Sequence, residues 1–181
     1  MYELFVLGQL MEDEKHGYLL QERLKTAVGP IRQISSGTLY PLLARLLEKG
    51  WISRRFEEQQ DGGRPRKIYG LTESGRERFQ ELMCNHLEHS VDTELIFHFK
   101  MTLFEYVTKD VQLACLEQYL EFLEDNLEFV TSQLIIVSQK QITETKRIQL
   151  MRMLDHRKSV GLADIEWVTK EIERVEALDE I

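Results

Sequence analysis

The fold of this chain is decided by the stretch SSGTLYPLLARLLEKG, residues 35–50. Its leucines follow the i, i+3, i+4, i+7, i+8 spacing of a helix that buries one face: Leu39, Leu42, Leu43, Leu46 and Leu47. Hydroxyl residues stand in front, where they suit an N-cap, and Gly50 stands behind, where glycine commonly ends a helix. The opposite face carries small residues that allow close approach. We therefore interpret the stretch as a recognition helix for duplex DNA, with an ordinary amphipathic core helix as the alternative.

Two further helical patterns precede this stretch. Apolar residues recur on one side of residues 2–12 and again on one side of a segment that opens at His16 and runs to about Thr26. The following residues, 27–34, contain Gly-Pro and predict a turn. Helix, helix, short turn and helix is the plan of a helix-turn-helix domain.

A basic hairpin is predicted directly after the recognition helix. Residues 51–56 and 67–71 have the composition of strands, and the sequence Asp61-Gly62-Gly63 between them is a hairpin-turn signal. Three basic residues lie at the predicted tip: Arg64, Arg66 and Lys67. Such a wing would lie along DNA phosphates or in the adjacent minor groove. The alternative for an isolated charge cluster of this kind is a solvated loop.

The second half of the chain predicts helices only. It has no proline and a single glycine, Gly161. Residues 93–107 are apolar nearly all round, and helices are expected over about 108–142 and 145–178. The first of these two long helices carries a heptad seam: Leu113, Leu116, Leu120, Leu123, Leu127, Val130, Leu134 and Val137. Two such helices predict an antiparallel pair that meets the same pair of a second subunit.

The predicted fold class is mainly α. Residues 1–83 form a winged helix-turn-helix DNA-binding domain of three helices plus a two-stranded wing. Residues 84–181 form an all-helical dimerisation and effector domain. We expect a rigid helical connection between them, because no Gly, Ser or Pro linker separates the two parts.

Charge is distributed unevenly along the 181 residues. The net charge is −8, yet residues 1–80 carry 13 Lys/Arg against 11 Asp/Glu, while residues 81–181 carry 10 against 20. Only the first part is therefore expected to face a polyanion. The N-terminus lacks signal-peptide features, and the two cysteines imply no disulfide framework. These features predict a reducing, cytoplasmic location.

Several motifs cover residues 4–75 almost continuously: Leu7-Gly8, His16-Gly17-Tyr18, Gly37-Thr38-Leu39-Tyr40-Pro41, Leu47-Glu48-Lys49-Gly50, and the run from Gly63 to Gly75. Together they closely resemble the PadR-like transcriptional regulators. The long helical second half, with Trp167 in its last helix, looks like the branch of that family with an extended C-terminal dimerisation domain.

The resemblance implies a homodimeric winged-helix regulator, usually a repressor, that binds a near-palindromic operator in double-stranded DNA. Many family members release DNA when a small, often aromatic, compound binds. By motif position the resemblance assigns phosphate contacts to the basic wing, and DNA contacts to five further residues: Tyr18, Ser35, Ser36, Thr38 and Tyr40. For Tyr18 and Tyr40 the alternative is packing on the protein scaffold.

Two further sets of residues are candidates for contacts. Arg45 lies on the outward face of the recognition helix, where base contact and phosphate contact are equally compatible with its position. Aromatic residues of the second half would suit an effector pocket between the domains: Phe97, Phe104 and Trp167. Plain core packing is the alternative for these aromatics.

No enzyme, cofactor or metal site is predicted. The chain lacks a Gly-rich phosphate loop, a nucleophile elbow and a metal-binding helix motif. Cys84, His86 and His89 form a C-x-H-x-x-H pattern that matches no closed zinc spacing, so we interpret them as exposed polar residues. The competing functional hypothesis is a winged-helix adaptor that binds proteins and not DNA, and the net acidity is its only support.

Overall fold

The computed structural model describes residues 1–30, 32, 34–58 and 65–178. The chain divides into two compact units. The first, here the N-terminal unit, comprises residues 1–85 and 94–108, and the second, the C-terminal unit, comprises residues 86–93 and 109–181.

The N-terminal unit confirms the predicted helices and hairpin. Its elements are α1 (Tyr2–Glu12), β1 (Lys15–His16), α2 (Gly17–Val28), α3 (Ser36–Glu48), β2 (Ile52–Glu57), β3 (Arg66–Leu71), α4 (Glu73–Cys84), α5 (Thr93–Met101) and a short 3-10 helix (Phe104–Tyr106). The sheet is antiparallel in the order β1-β3-β2. The predicted wing therefore gains a third strand, β1, in which Lys15 pairs with Tyr69. The predicted turn at residues 61–63 lies outside the described residues.

Helix α3 ends as the glycine predicts. Gly50 has a φ of 72°, a left-handed conformation that glycine adopts without steric cost. Its N–H donates to the carbonyl of Leu47 at 3.0 Å, and the N–H of Trp51 donates to that of Leu46 at 3.0 Å. These two bonds form a Schellman motif, which satisfies the last carbonyls of the helix and turns the chain directly into β2.

The base of the hairpin is fastened to the end of α3. Thr72 caps α4 by accepting from the N–H of Gly75 at 3.1 Å, and its hydroxyl donates to the carbonyl of Gly50 at 2.6 Å. Ser74 donates to the same carbonyl at 3.0 Å. A Cβ on Gly75 would lie 1.9 Å from the carbonyl oxygen of Trp51, so only glycine fits this crossing. The direction of the wing relative to α3 is thus fixed by backbone contacts.

Residues 94–108 pack within the N-terminal unit. The rings of Phe5 and Phe99 lie 5.1 Å apart, and a Cβ on Gly8 would meet the methyl groups of Leu103 at about 2.5 Å. The sequence predicts a boundary between residues 83 and 84, which would assign this segment to the second domain. Its all-round apolar character reflects burial within the N-terminal unit, where Phe99 and Leu103 lie against α1. The helix predicted over 93–107 is divided into α5 and the 3-10 helix.

The C-terminal unit is built on two long helices, α6 (Lys109–Gln139) and α7 (Glu144–Glu176). They are antiparallel, since Lys109 at the start of α6 donates to the carbonyls of Glu176 and Leu178 at 2.7 and 2.8 Å. Val130, Val137 and Leu154 form one buried cluster between the two helices. Buried positions recur at multiples of seven residues: Leu116, Leu123, Val130 and Val137 on α6, and Leu154, Val168 and Val175 on α7. The predicted heptad seam thus supplies this core.

Candidate nucleic-acid interface

The first turn of α3 presents hydroxyl groups to solvent. Ser35 precedes the helix with extended backbone, and its side chain makes no capping hydrogen bond. Its Oγ lies 3.4 Å from Oγ1 of Thr38, whose N–H donates to the Ser35 carbonyl at 3.0 Å. The side chain of Ser36 lies outside the described residues. Hydroxyls beside a helix N-terminus are well placed to donate to phosphate or base-edge oxygens.

Tyr40 stands where α2, α3 and the sheet meet. It is 41% exposed, whereas the adjacent Leu39 is fully buried. A Cβ on Gly17 would lie 3.2 Å from the ring of Tyr69 and 3.3 Å from that of Tyr40, so glycine allows both rings to approach the start of α2. This packing holds the Tyr40 ring beside the wing while leaving part of it open to a partner.

Tyr18 links α2 to the wing. Its side chain is 50% exposed, and its ring stacks on that of His16 with centroids 5.5 Å apart. The guanidinium carbon of Arg66 lies 6.0 Å from the Tyr18 centroid. A cation over an aromatic ring at an exposed site contributes about 0.5–1 kcal/mol, enough to orient a flexible arginine.

These side chains surround a cleft of about 330 Å³, lined by His16, Gly17, Tyr18, Tyr40, Pro65, Arg66, Lys67 and Tyr69. Arg66 and Lys67 contribute positive charge to the cleft. The carboxylate of Glu57 lies 3.5 Å from Nε2 of His16. Burial raises the pKa of the Tyr69 phenol, with Tyr40 acting in the same direction and the charge of Arg54 opposing it. The phenol stays neutral at physiological pH, so the cleft keeps its positive balance and suits an anionic ligand.

The predicted DNA-contact residues fall into two groups. Four of them line the cleft together: Tyr18, Tyr40, Arg66 and Lys67. Ser35, Thr38 and Arg45 lie along α3 outside the cleft, and Arg45 is exposed two turns further along that helix. Arg64 lies outside the described residues.

Sequence reasoning missed three residues at this surface. His16 lines the cleft, and Arg54 and Phe56 extend from the stem of the hairpin next to it. The guanidinium of Arg54 lies 5.4 Å from the Phe56 centroid. The signal that could have identified Arg54 and Phe56 is their alternation along a predicted strand, because alternate residues of a strand share one face.

The candidate effector residues lie in different units. Phe97 is only 1% exposed in α5, and Phe104 is half-buried in the 3-10 helix of the N-terminal unit. Trp167 is 43% exposed on α7. Over the described ranges no group of three or more His, Cys, Asp and Glu side chains is arranged to hold a metal ion. No helix in the described part of the chain is long and apolar enough to cross a membrane.

Comparison with known proteins identifies relatives for the N-terminal region. The model of the transcriptional regulator PadR-like family matches residues 6–81. An uncharacterized protein of Lysinibacillus sphaericus is 30% identical over 78 residues, which is 43% of this chain and 71% of that protein. Two solved structures are also similar. A PadR-like transcription factor from Bacteroides fragilis is 33% identical, covering 45% of this chain and 76% of the other, with a TM-score of 0.41. Bacillus subtilis PadR in complex with operator DNA is 18% identical, covering 96% and 97%, with a TM-score of 0.44.

Proposed function

The chain belongs to the PadR-like family of transcriptional regulators, and we propose that it works by binding duplex DNA through one continuous surface of its N-terminal unit. The observation that carries this proposal is the cleft in which Tyr18 and Tyr40, from two helices, meet Arg66 and Lys67 of the wing. Aromatic hydroxyls and cations in one concave surface suit a phosphodiester backbone.

Helix α3 is the element we place in the major groove. Ser35, Ser36, Thr38 and Tyr40 lie at or near its N-terminal end, which is where recognition helices of this type contact base edges. Arg45 lies further along the same helix, where both a phosphate and a guanine edge are suitable partners. The wing residues, Arg64 among them, would neutralise flanking phosphates and set the register of the helix in the groove.

A homodimer is the second part of the proposal. The helices of the C-terminal unit leave large apolar side chains exposed: Phe129, Ile135, Ile136, Ile148, Met153, Val160, Leu162 and Trp167. Met153, Val160 and Trp167 recur every seven residues along α7, which is the spacing of a helix-packing seam. A second copy would cover this stripe. Two recognition helices related by two-fold symmetry would then read inverted half-sites about 34–36 Å apart.

We further propose that the protein is a cytoplasmic repressor released by a small aromatic compound. The indole of Trp167, the last member of that stripe on α7, supports this, because an aromatic ring at the edge of the interface between copies would offer a stacking surface to such a ligand. Phe104 retains some exposure, whereas buried Phe97 offers almost no surface unless α5 moves. The test measures Trp167 fluorescence in a Trp51→Phe background while candidate aromatic compounds are added. We expect compounds that release DNA to quench this fluorescence. Compounds that release DNA without quenching would contradict the assigned site.

The DNA-binding proposal is tested by removing the charges of the cleft. Fluorescence anisotropy of a labelled duplex, taken from just upstream of the protein's own gene, would be followed over a series of salt concentrations. We expect Arg66→Ala with Lys67→Ala to weaken binding at least tenfold and to flatten the salt dependence, because fewer counterions are released.

The matched control is Lys146→Ala with Arg152→Ala, which removes the same charge from exposed positions of α7. If this control weakens binding as much as the cleft variant, net charge alone explains the effect and the interface is misplaced. If neither variant alters binding of any duplex, the adaptor hypothesis takes precedence.

A further inference from the structure

We propose that the stem of the hairpin carries its own DNA contact, in which Arg54, braced by Phe56, binds a backbone phosphate between the recognition helix and the wing tip. This inference rests on the DNA-binding function proposed above. It assigns a direct contact to Arg54 and a positioning role to Phe56, and both residues lie outside the cleft and are distinct from the basic residues of the wing tip.

The strand register places both residues on the face that leads to α3. Arg54 pairs with Tyr69 and Phe56 pairs with Lys67, and cross-strand partners project to the same side of a sheet. Tyr69 packs at Gly17 beside Tyr40. The face that begins in the cleft therefore continues outward along the stem. Three residues of strand, about 10 Å, separate Arg54 from the position of the Glu57–Arg66 pair nearer the tip.

The two neighbouring arginines of β2 differ in their partners. Arg55 points to the opposite face, where its Nε and Nη2 lie 2.8 and 2.7 Å from Oε2 of Glu14. Within the residues that the structure describes, Arg54 and Lys67 have no carboxylate within ion-pair distance. Arg55 is thus neutralised within the protein, whereas Arg54 and Lys67 present uncompensated positive charge to an external anion.

Phe56 gives the same face an aromatic surface. It is 58% exposed, and the Arg54 guanidinium lies 5.4 Å from its centroid. In the described part of the N-terminal unit the exposed large apolar side chains are three aromatics, Tyr18, Tyr40 and Phe56. The first two belong to the DNA surface already described, and the third lies on the face continuous with it. A ring that braces a guanidinium restricts its orientation and can pack on a deoxyribose of the same strand.

The test compares Arg54→Ala with Arg55→Ala, which remove identical side chains from adjacent positions of one strand. Anisotropy titrations over several salt concentrations would use both the native upstream duplex and a scrambled one. We expect Arg54→Ala to weaken binding about tenfold and to reduce the salt slope by about 0.9 for each arginine lost, or about 1.8 for two subunits. Because a phosphate contact carries no sequence information, both duplexes should be affected equally. Arg55→Ala should leave the slope unchanged.

Two further variants separate charge from bracing. Arg54→Lys should keep the salt slope and lose part of the affinity, because lysine keeps the charge without the planar fork. Phe56→Ala should weaken binding about threefold with no change of slope, and Phe56→Tyr should restore it. Circular dichroism melts check that each variant remains folded.

The inference is overturned if Arg54→Ala keeps the wild-type slope, if Arg55→Ala lowers the slope as much, or if Arg54→Ala changes the preference between duplexes. Its failure is distinguishable from failure of the proposed function. If only this inference fails, Arg66→Ala with Lys67→Ala still weakens DNA binding. If the proposed function fails, no variant weakens DNA binding. Capture of an acidic peptide by Phe56 and Arg54, with DNA binding intact in both variants, would likewise overturn it.

Discussion

The two units of this protein differ in which of their large apolar side chains are exposed to solvent. The N-terminal unit encloses its leucines and most of its phenylalanines, and within its described residues the large apolar side chains left exposed are aromatics at the basic surface. The C-terminal unit leaves a stripe of apolar residues along two long helices. Because α6 and α7 share only one face, a second apolar stripe has nothing to pack on within this pair of helices.

This difference assigns each unit its kind of partner. A closed core with exposed tyrosines, a phenylalanine and arginines offers stacking and charge, which suit a polyanion. An open apolar stripe of heptad spacing offers area and shape, which suit another helix. We infer that the first unit contacts DNA and that the second is completed by its own copy.

The largest effect is expected from charges placed in the apolar stripe. Met153→Glu with Val160→Glu would bury carboxylates in the interface between copies, where they have no partner. We expect a monomer with intact helices, whose loss of bivalent attachment lowers DNA affinity on the order of a hundredfold. Analytical ultracentrifugation and anisotropy would measure the two effects.

The control is Arg152→Glu, which changes the net charge by the same amount at an exposed position outside the stripe. It should remain dimeric. A double variant that stays dimeric and binds DNA normally would show that the stripe is not the interface.

A smaller effect is expected at the crossing between α3, the wing and α4. Gly75→Ala would place a Cβ 1.9 Å from the carbonyl oxygen of Trp51, and backbone atoms fixed by the Schellman motif have little room to move. We expect the N-terminal unit to lose about 3 kcal/mol of its free energy of unfolding. Urea unfolding followed through Trp51 fluorescence, in a Trp167→Phe background, measures this loss. A midpoint equal to that of the parent would contradict the assigned packing.

The smallest effect, of opposite sign, is expected at Gly161 of α7. A Cβ there would lie 4.0 Å from a methyl of Leu127, an ordinary contact, and alanine is less flexible than glycine in the unfolded chain. Gly161→Ala should therefore raise the free energy of unfolding by about 0.5–1 kcal/mol. The urea midpoint followed through Trp167 fluorescence in a Trp51→Phe background checks this. A decrease would indicate that a second copy approaches this glycine closely.

The sequence alone predicted those elements that depend on residues close together along the chain. The leucine spacing of α3, the terminating Gly50 and the heptads of α6 all appear in the structure. Strand β1 was missed because two residues, Lys15 and His16, are too few to show alternation. The assignment of residues 94–108 depends on contacts with α1 that lie far away in sequence.

The candidate site was predicted less completely, for a related reason. Tyr18, Tyr40 and Arg66 stood out as motif residues, but their convergence on one cleft depends on Gly17, whose small size matters only once Tyr69 is packed against it. Arg54 and Arg55 look equivalent in the sequence. Only the strand register, and the ion pair of Arg55 with Glu14, separates an available charge from a neutralised one.

Sequence-specific DNA binding by a dimer is tested most directly by selecting bound sequences from a random duplex library with the wild-type protein. We expect an enriched motif of two inverted half-sites whose centres lie about one helical turn apart, bound by two chains. That motif should disappear from the selection when Arg66 and Lys67 are both replaced by alanine. Repeated rounds that enrich no motif, or a single unpaired half-site bound by one chain, would contradict it.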